Sequence, residues 1–419
     1  MSGKMAGTAD QPFGVSSPRS VLSVLFSVVF LDNLGFFIVL PYLFFFVQNL
    51  GGNAFLYGVL LASYSLMSFV FTPLVSRLSD SYGRRRILLI ALLVSGTSYF
   101  LFGMSRALWL LFVARMMAGT TAATVPVAQA YVADVTTEKG RLKYLGLLGA
   151  AAGTAVIIGP AIGGTLSSFF GYAVPAFLAS ALAFTNFFSA YFRLPEPSRN
   201  AEDSEKSAFT LKALRSVLGR RAIELLLATY FMFFVAFVFF QVALPPWLEQ
   251  VFGFHSFETG LLLFYVGVIS VLTQGVLLPR LSRKRSPSTL IAYGIPIMAI
   301  GLTALFLTPN LGFLFVAGAV ISLGFGIQYT TLNTLISTNT AKEAQGGTLG
   351  IAWSLAGLAQ TITPTLAAFA FAFGSSIGLP GLSFAFAAAI TLLTIPLILA
   401  LKKSEKNEAV PTFETQPKR

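Results

Sequence analysis

The chain has 419 residues, of which 55% are hydrophobic and only 11% are charged. Because about a quarter of the residues in soluble domains are charged, this composition excludes an ordinary water-soluble fold and indicates a protein whose solvent is lipid. The absence of cysteine excludes disulfides and thiolate metal sites, and the net charge of +12 needs a separate explanation.

Twelve apolar segments are long enough to cross a bilayer. A helix that rises 1.5 Å per residue needs about 20 apolar residues to cross about 30 Å of hydrocarbon. The segments of this length are approximately 21–47, 54–75, 87–103, 108–133, 142–168, 172–192, 223–246, 257–278, 288–307, 311–337, 349–373 and 380–401. The first has full spanning length, so we expect it to be retained rather than removed as a signal peptide. The sequence predicts an all-α membrane protein with twelve transmembrane helices.

Lysine and arginine are distributed very unevenly between the two ends of these segments. With the N-terminus in the cytoplasm, 26 of the 28 lie in cytoplasmic segments, Arg106 lies outside and Arg115 lies within a helix. The positive-inside rule therefore predicts that both termini are cytoplasmic. The same distribution accounts for the net charge, so we expect a multi-pass protein of the cell (inner or plasma) membrane, in contact with the lipid bilayer and without a nucleic-acid partner.

The longest polar stretch divides the twelve segments into two sets of six. It contains PEPSRNAEDSEK, whose mixed charge, proline and serine disfavour a packed core. The predicted organisation is a cytoplasmic tail at 1–20, a six-helix bundle at 21–192, a cytoplasmic linker at 193–221, a second six-helix bundle at 222–401 and a cytoplasmic tail at 402–419.

Three sequence repeats relate the two halves. Each first-half segment recurs 202 to 204 residues later, in the same order and at the corresponding loop or helix. The aligned pairs are Gln48–Gly58 with Gln250–Gly260, Arg77–Ser79 with Arg280–Ser282, and Leu145–Pro160 with Leu349–Pro364. Together they predict a duplicated unit and two pseudo-symmetric bundles, a construction typical of alternating-access carriers.

Sequence motifs in the first half point to a known family. After the second segment comes SRLSDSYGRRR at Ser76–Arg86, with an Asp-x-x-Gly-Arg-Arg core, and Leu111–Thr136 carries an arginine, a glycine four residues later and an aspartate near its end. With LDNLGFFIVLP in the first segment, these motifs resemble the major facilitator superfamily, and within it the twelve-helix drug:proton antiporters of the tetracycline efflux group. The resemblance implies the major facilitator fold and export driven by proton entry.

The resemblance also implies a conformational gate at the cytoplasmic ends of the helices. The residues that match are Asp80, Gly83, Arg84, Arg85 and Asp134, with Arg84 expected to bridge Asp80 and Asp134. A suitable second partner for Asp80 is the N-terminus of the eleventh helix, where free backbone N–H groups attract an anion. The alternative for the basic run is that it serves only to orient the chain in the membrane.

The fifth segment is rich in small residues and contains a proline. Under the resemblance, Gly153, Gly159, Pro160 and Gly163 form a hinge that is typical of antiporters. The alternative is that the glycines let helices approach closely and the proline bends the helix, whatever is transported.

Two charged residues lie deep within apolar segments, and such residues are functional candidates by default. A carboxyl group in apolar surroundings is favoured in its neutral form, so Asp32 is suited to carry a proton, whereas the alternative is a permanently paired structural group. The depths of Asp32 and Arg115 differ by roughly 10 Å along the helix axes. We therefore expect Arg115 to bind backbone carbonyls and to act on Asp32 through its field, and we assign both residues to proton coupling.

Neutral polar and aromatic side chains within the segments are candidates for contacting a substrate. Such groups suit an amphiphilic or neutral-polar ligand, although hydrogen bonding between helices is the alternative for each. The candidates are Asn33, Gln129, Gln241, Gln274, Gln328, Tyr329, Asn333, Trp353 and Gln360. The single histidine, His255, lies in an outer loop, where we expect it to be solvated.

These observations favour a secondary active transporter that exports an amphiphilic or drug-like small molecule in exchange for protons. The alternatives are a proton-independent facilitator or lipid or metabolite carrier of the same fold, and a receptor that transports nothing. We find no catalytic constellation, phosphate-binding loop or metal-ligand cluster, so an enzyme is not expected and neither is a cofactor. The expected partners are a small-molecule substrate and protons, and the expected state is a monomer.

Overall fold

The computed structural model describes residues 18–136, 138–197, 220–307, 310–340 and 344–408. This part of the chain contains twelve helical spans long and apolar enough to cross a membrane. We number the spans in chain order. They are α1 (Pro18–Asn49), α2 (Ala54–Tyr82), α3 (Arg84–Gly103), α4a (Leu108–Thr120) with α4b (Thr124–Val135), α5 (Glu138–Phe170), α6 (Ala173–Arg193), α7 (Arg221–Phe252), α8 (Ser256–Ser282), α9 (Pro287–Leu307), α10 (Leu311–Thr338), α11 (Gln345–Ser376), and α12a (Leu382–Leu392) with α12b (Ile395–Glu408).

The predicted number and order of the spans are confirmed, whereas their ends differ by up to several residues. Both α2 and α3 extend into the predicted loop, so that only Gly83 separates them. Most of the predicted linker and of the two predicted tails lies outside the described residues.

Three spans are interrupted, and each interruption precedes a proline. The backbone leaves the α-helix after Thr120 in α4 and after Leu392 in α12, and α8 contains a π-helical turn at Thr273–Leu277. Because proline has no N–H to donate, the carbonyl four residues before it loses its helical partner. The prolines concerned are Pro126, Pro279 and Pro396. The carbonyl groups four residues before them lie within or beside the three interruptions.

Helix packing repeats with a shift of six helices. In the first half α1 packs on α5 and α6, α3 packs on α6 and α4, and α2 packs on α4. In the second half α7 packs on α11 and α12, α9 packs on α12 and α10, and α8 packs on α10. The two halves therefore have the same internal arrangement, as the sequence repeats predict.

The halves meet along two equivalent seams, α2 against α11 and α5 against α8. A Cβ atom added at Gly58 would lie 2.6 Å from the carbonyl oxygen of Pro364, and one added at Gly260 would lie 2.4 Å from that of Pro160. Both contacts join the last residue of one aligned repeat to the last residue of another. Only glycine permits backbones to approach this closely, so the seams are fixed by backbone contact.

The seams are closed at one face of the molecule and separate toward the other. We call the face at which α1 begins and α12 ends the terminal face. The close contacts at Gly58 and Gly260 lie near the opposite face, where Gln48 also donates a hydrogen bond to Glu249 of the second half (3.2 Å). Nearer the terminal face, an added Cβ at Gly149 or Gly350 would meet no atom within 4 Å. The space between the halves therefore widens toward the terminal face.

Candidate functional site

A cavity of ≈ 120 Å³ lies between the two halves. It is lined from the first half by α1, α2 and α5 and from the second half by α7, α8 and α10. Four phenylalanines, Phe37, Phe237, Phe240 and Phe325, supply much of its wall. The polar lining groups are all neutral, namely Tyr57, Gln241, Ser270 and Ser322. Such a wall favours a ligand with flat apolar surface and a few hydrogen-bonding groups.

Aromatic rings continue from this cavity toward the terminal face along α10. The ring centroids of Phe237 and Phe325 are 4.4 Å apart, and Tyr329 stacks on Phe325 at 5.8 Å with nearly parallel planes. Tyr329 is one turn closer than Phe325 to the terminal end of α10. A flat ligand would therefore meet aromatic surface along the direction in which the halves separate.

The structure places the polar candidates at different distances from the cavity. Gln241 lines it, and Asn33 lies one helical turn before the lining residue Phe37. Gln274 donates to the lining residue Ser270 (3.0 Å). These three candidates therefore lie in or beside the cavity.

Two other candidates are hydrogen-bonded within the second half. Gln328 is fully buried and donates to the carbonyl oxygen of Gly294 in α9 (3.2 Å), and Asn333 donates to that of Tyr329 (2.7 Å). Three further candidates have exposed side chains, namely Gln129, Trp353 and Gln360.

Asp32 is partly buried and lies among tyrosines. Gly35, three residues later on the same side of α1, packs against the hydroxyl end of Tyr99, and Phe36 packs its ring against Tyr64 at 5.1 Å. Both tyrosines therefore contact residues within one helical turn of Asp32. Within the described part of the chain, no ion pair joins Asp32 to Arg115, as their different depths predict.

Arg115 is only 2% exposed and is held by aromatic rings. Its guanidinium lies 5.7 Å from the ring centroid of Tyr64 and 5.2 Å from that of Phe102, within the range of cation–π attraction. A Cβ at Gly119, one turn after Arg115, would lie 2.4 Å from the backbone oxygen of Tyr64. The glycine four residues after the arginine is thus what lets α4a approach α2.

The expectation that Arg115 binds backbone carbonyls is not met in this conformation. Its Nε and Nη2 atoms are buried without a hydrogen-bond partner, and so is the hydroxyl of Tyr42. Tyr64 contacts the guanidinium, Tyr42 packs on Phe102 at 6.3 Å, and Tyr99 precedes Phe102 by three residues on the same side of α3. Tyr57 lies two turns before Tyr64 on α2. Arg115 is therefore the centre of a tyrosine cluster.

The predicted gate residues form one cluster at the terminal face. Arg84, at the start of α3, pairs with Asp80 at 2.6 Å and with Asp134 at 3.0 Å, and also donates to Ser79 (2.7 Å). Because these partners lie on α2 and α4b, one nearly buried guanidinium ties three helix ends together. The halves are apart at this face, so the predicted contact of Asp80 with the start of α11 would require a different conformation and stays a prediction.

The neighbouring gate residues bind the end of α6. Arg85 donates to the carbonyl oxygen of Tyr191 (2.7 Å), and its backbone N–H donates to Glu196 (3.2 Å). Gly83 has a positive φ of 99°, and a Cβ there would lie 2.6 Å from the Glu196 carboxylate. Both its conformation and its surroundings therefore require glycine.

The small residues of α5 serve two different helix contacts. A Cβ at Gly159 would lie 2.6 Å from Phe37, and one at Gly163 would lie 1.8 Å from the carbonyl oxygen of Ile38, both on α1. Pro160 faces α8 instead, and Gly153 has no close neighbour. Three of the four predicted hinge residues are therefore tight packing positions.

Polar groups also cluster at the closed opposite face. Tyr172, between α5 and α6, stacks on Phe46, and burial together with the carboxylate of Glu249 raises the pKa of Tyr172. Exposed His255 begins α8 and packs its ring against Phe45 of the first half at 6.0 Å. The histidine expected to be only solvated thus also lies at a contact between the halves.

Sequence reasoning missed the tyrosine cluster and the phenylalanine wall. Tyr57 and Tyr64 are seven residues apart on one face of α2, and Tyr42 and Tyr99 lie in other segments. With 42 phenylalanines and 13 tyrosines in the chain, such spacing does not stand out from an ordinary lipid-facing or core pattern. The signal that could have found the cluster is the buried arginine, which needs polar or aromatic neighbours.

The chain matches the family model of the Major Facilitator Superfamily over residues 25–364. It is 31% identical over 360 residues to tetracycline resistance protein, class E, of Escherichia coli, which covers 84% of this chain and 88% of the relative. It is 28% identical over 335 residues to multidrug resistance protein 1 of Bacillus subtilis strain 168, which covers 77% and 82%. The family resemblance noted in the sequence is confirmed.

Solved structures share the fold at low sequence identity. A bacterial homologue of the human lysosomal transporter Spinster, in an inward-facing and unoccupied conformation, superposes with a TM-score of 0.81 at 13% identity over 95% of this chain and all of that one. The human organic anion transporter MFSD10 gives a TM-score of 0.65 at 21% identity, over 91% of this chain and all of that one.

The helix order, the repeated packing, the family model and the relatives all agree. The chain belongs to the Major Facilitator Superfamily of membrane transporters.

Proposed function

We propose that the protein exports an amphiphilic, drug-like compound across the cell membrane in exchange for protons, by alternating access and as a monomer. The observation that carries the proposal is the neutral, aromatic cavity between the halves, one wall of which is the helix that bears Asp32. The names of the two relatives, which refer to tetracycline and multidrug resistance, support a drug-like substrate.

The charge distribution supports a cytoplasmic position for both termini, since 26 basic residues lie at the terminal face and its tails and one lies in the outer loops. With that orientation, this conformation opens to the cytoplasm and would receive substrate from there. The solved relative described as inward-facing has the same overall shape. Export then requires the Gly58 and Gly260 seams to open while the terminal face closes.

Each group of residues has a role in this proposal. Asp32 carries the proton, and Arg115 acts on it. Substrate is held by the phenylalanine wall together with Asn33, Gln241, Gln274 and Tyr329. Gln328 instead joins α10 to α9, and the remaining polar candidates line other stages of the path. The Arg84 cluster holds the terminal ends of α2, α3 and α4b together, and the α5 packing positions let the halves rock as units.

Transport in proteoliposomes tests the coupling directly. We expect an imposed pH gradient to drive accumulation of an aromatic dye such as rhodamine 6G by the wild-type protein. Asp32→Asn cannot exchange a proton, so it should lose gradient-driven accumulation and retain dye exchange at equal pH. Gradient-driven accumulation by Asp32→Asn at the wild-type rate would exclude Asp32 as the proton carrier.

The same assay separates the alternative functions. A proton-independent carrier would exchange dye at equal pH and ignore the gradient in the wild type as well. A receptor would bind dye and move none under either condition. Glu224→Gln is the matched control, because it neutralises an exposed carboxylate in the first turn of α7, at the terminal face, instead of one within the membrane.

A further inference from the structure

Two tyrosines, Tyr64 and Tyr99, lie close to both Asp32 and Arg115. Tyr99 of α3 reaches α1 at Gly35, and Tyr64 of α2 packs against Phe36, so both rings lie within one helical turn of Asp32. Arg115 lies against the ring of Tyr64 and against that of Phe102, which follows Tyr99 by three residues on the same side of α3. Asp32 and Arg115 therefore share the same two neighbours without contacting each other.

The hydrogen-bonding capacities of the three groups allow one order only. A guanidinium has donors and no acceptor, an ionised carboxylate has acceptors and no donor, and a phenol hydroxyl has both. A tyrosine between them therefore accepts from Arg115 and donates to Asp32. The Nε and Nη2 atoms of Arg115, buried without a partner, are the donors that this order requires.

We propose that Tyr99 and Tyr64 are positioning residues that connect Arg115 to Asp32 and stabilise the ionised form of the carboxylate. This inference rests on the proposed proton coupling. When Asp32 is ionised, the hydroxyl protons turn toward it and the hydroxyl oxygens accept from Arg115. When Asp32 binds a proton, it no longer requires these donors, and the guanidinium is released to its aromatic neighbours.

No other charged group competes at this depth in the described helices around α1. The titratable groups that face the cluster are Asp32 and Tyr42 on α1, Tyr57 and Tyr64 on α2, Tyr99 on α3 and Arg115 on α4a. On α5 and α6, which pack against the other sides of α1, the titratable groups of the described residues lie at the helix ends. Protonation of Asp32 should therefore depend mainly on this one cluster.

Infrared spectroscopy of the purified protein tests the proposal without a substrate. The absorption band of the protonated carboxyl that disappears in Asp32→Asn reports Asp32 and can be titrated with pH. In Tyr99→Phe the ionised carboxylate loses a donor, so we expect the midpoint to rise by about one pH unit, the effect of one hydrogen bond to a charged group. Tyr64→Phe should raise it in the same direction, and the double variant should raise it further.

Two further variants test whether the hydrogen bonds from Arg115 through the tyrosines to Asp32 act together. In Arg115→Met the hydrogen-bonded series has lost its first donor, so adding Tyr99→Phe should shift the midpoint by less than it does in the wild type. Tyr293→Phe, on the exposed side of α9, removes a similar hydroxyl far from Asp32 and should leave the midpoint unchanged.

The possible failures have different signatures. If the Asp32 band does not titrate between about pH 5 and pH 9 in the wild type, the proton-coupling proposal itself is wrong. If the band titrates there and both Tyr→Phe variants keep the wild-type midpoint, the coupling stands and the tyrosine connection is refuted.

Discussion

The two most buried arginines of the first half have different surroundings, and these decide what each can do. Arg84 meets two carboxylates and a serine hydroxyl, so its charge is neutralised in this conformation. Arg115 meets aromatic rings, which attract a cation but leave its charge uncompensated. The first arrangement suits a structural tie, and the second suits a residue that must respond when a nearby carboxyl changes its charge.

Loss of the Arg84 side chain should therefore destabilise the first half. Arg84→Ala removes the cation that Asp80 and Asp134 share, and we expect a loss of about 1–3 kcal/mol. Thermal unfolding in detergent measures this as a lower Tm. Arg86→Ala removes an exposed arginine from the same basic run and should leave the Tm nearly unchanged, and an equal decrease in the two variants would contradict the tie.

The phenylalanine wall can be tested one ring at a time. Phe237→Ala removes the ring that packs against Phe325 in the cavity wall, so rhodamine 6G affinity should fall roughly tenfold. Phe373→Ala removes an exposed ring of α11 outside the cavity and serves as the control. Fluorescence titration measures both, and unchanged affinity in Phe237→Ala would place the dye elsewhere.

At the scale of the helix, glycine has a role only where another backbone is close. Gly163 and Gly153 belong to the same helix and the same small-residue pattern, but one touches α1 and the other faces open space. Sequence alone could not distinguish them, because helical spacing identifies a face and does not say how near its neighbour lies. The prolines have the same ambiguity, since Pro41 and Pro160 lie in continuous helices while Pro126 follows a break.

The difference between the two glycines leads to a paired prediction. In Gly163→Ala the new methyl group would overlap the carbonyl oxygen of Ile38, so α5 must move from α1, at a cost of about 1–3 kcal/mol. Gly153→Ala has room and removes a flexible residue, so we expect no loss and a gain of up to about 1 kcal/mol. Thermal stability in detergent distinguishes them, and the reverse order would show that α5 packs differently.

At the scale of the molecule, the sequence predicts the features that solvent and duplication determine, and fewer of those that side-chain contacts determine. Hydropathy identifies twelve spans because a bilayer tolerates little else, and the repeats predict two halves with the same internal packing. The Asp80, Arg84 and Asp134 cluster was also predictable from its motif. The tyrosines around Arg115 were not, because they come from three segments whose relative rotation is set only by packing.

The closed face can be tested by cross-linking, which the absence of native cysteine makes straightforward. The double variant Gln48→Cys, Glu249→Cys places two cysteines where a hydrogen bond joins the halves in the wild type. A short bifunctional thiol reagent should join them and stop transport, because the opposite face can then no longer open, and cleavage of the linker should restore it. Each single-cysteine variant should transport after the same treatment, and full transport by the cross-linked pair would contradict the rocking motion.

The Gly58–Pro364 and Gly260–Pro160 contacts are the two halves of what would be an isologous interface if the six-helix unit were a separate subunit. In such a dimer one substitution would alter both contacts at once. In the fused chain each can change alone, and they already differ, since Gly58 faces Ala368 where Gly260 faces Gly164. One seam can therefore pack more tightly than the other. The more loosely packed seam would then separate first when the opposite face opens, a preference that a symmetric dimer could not have.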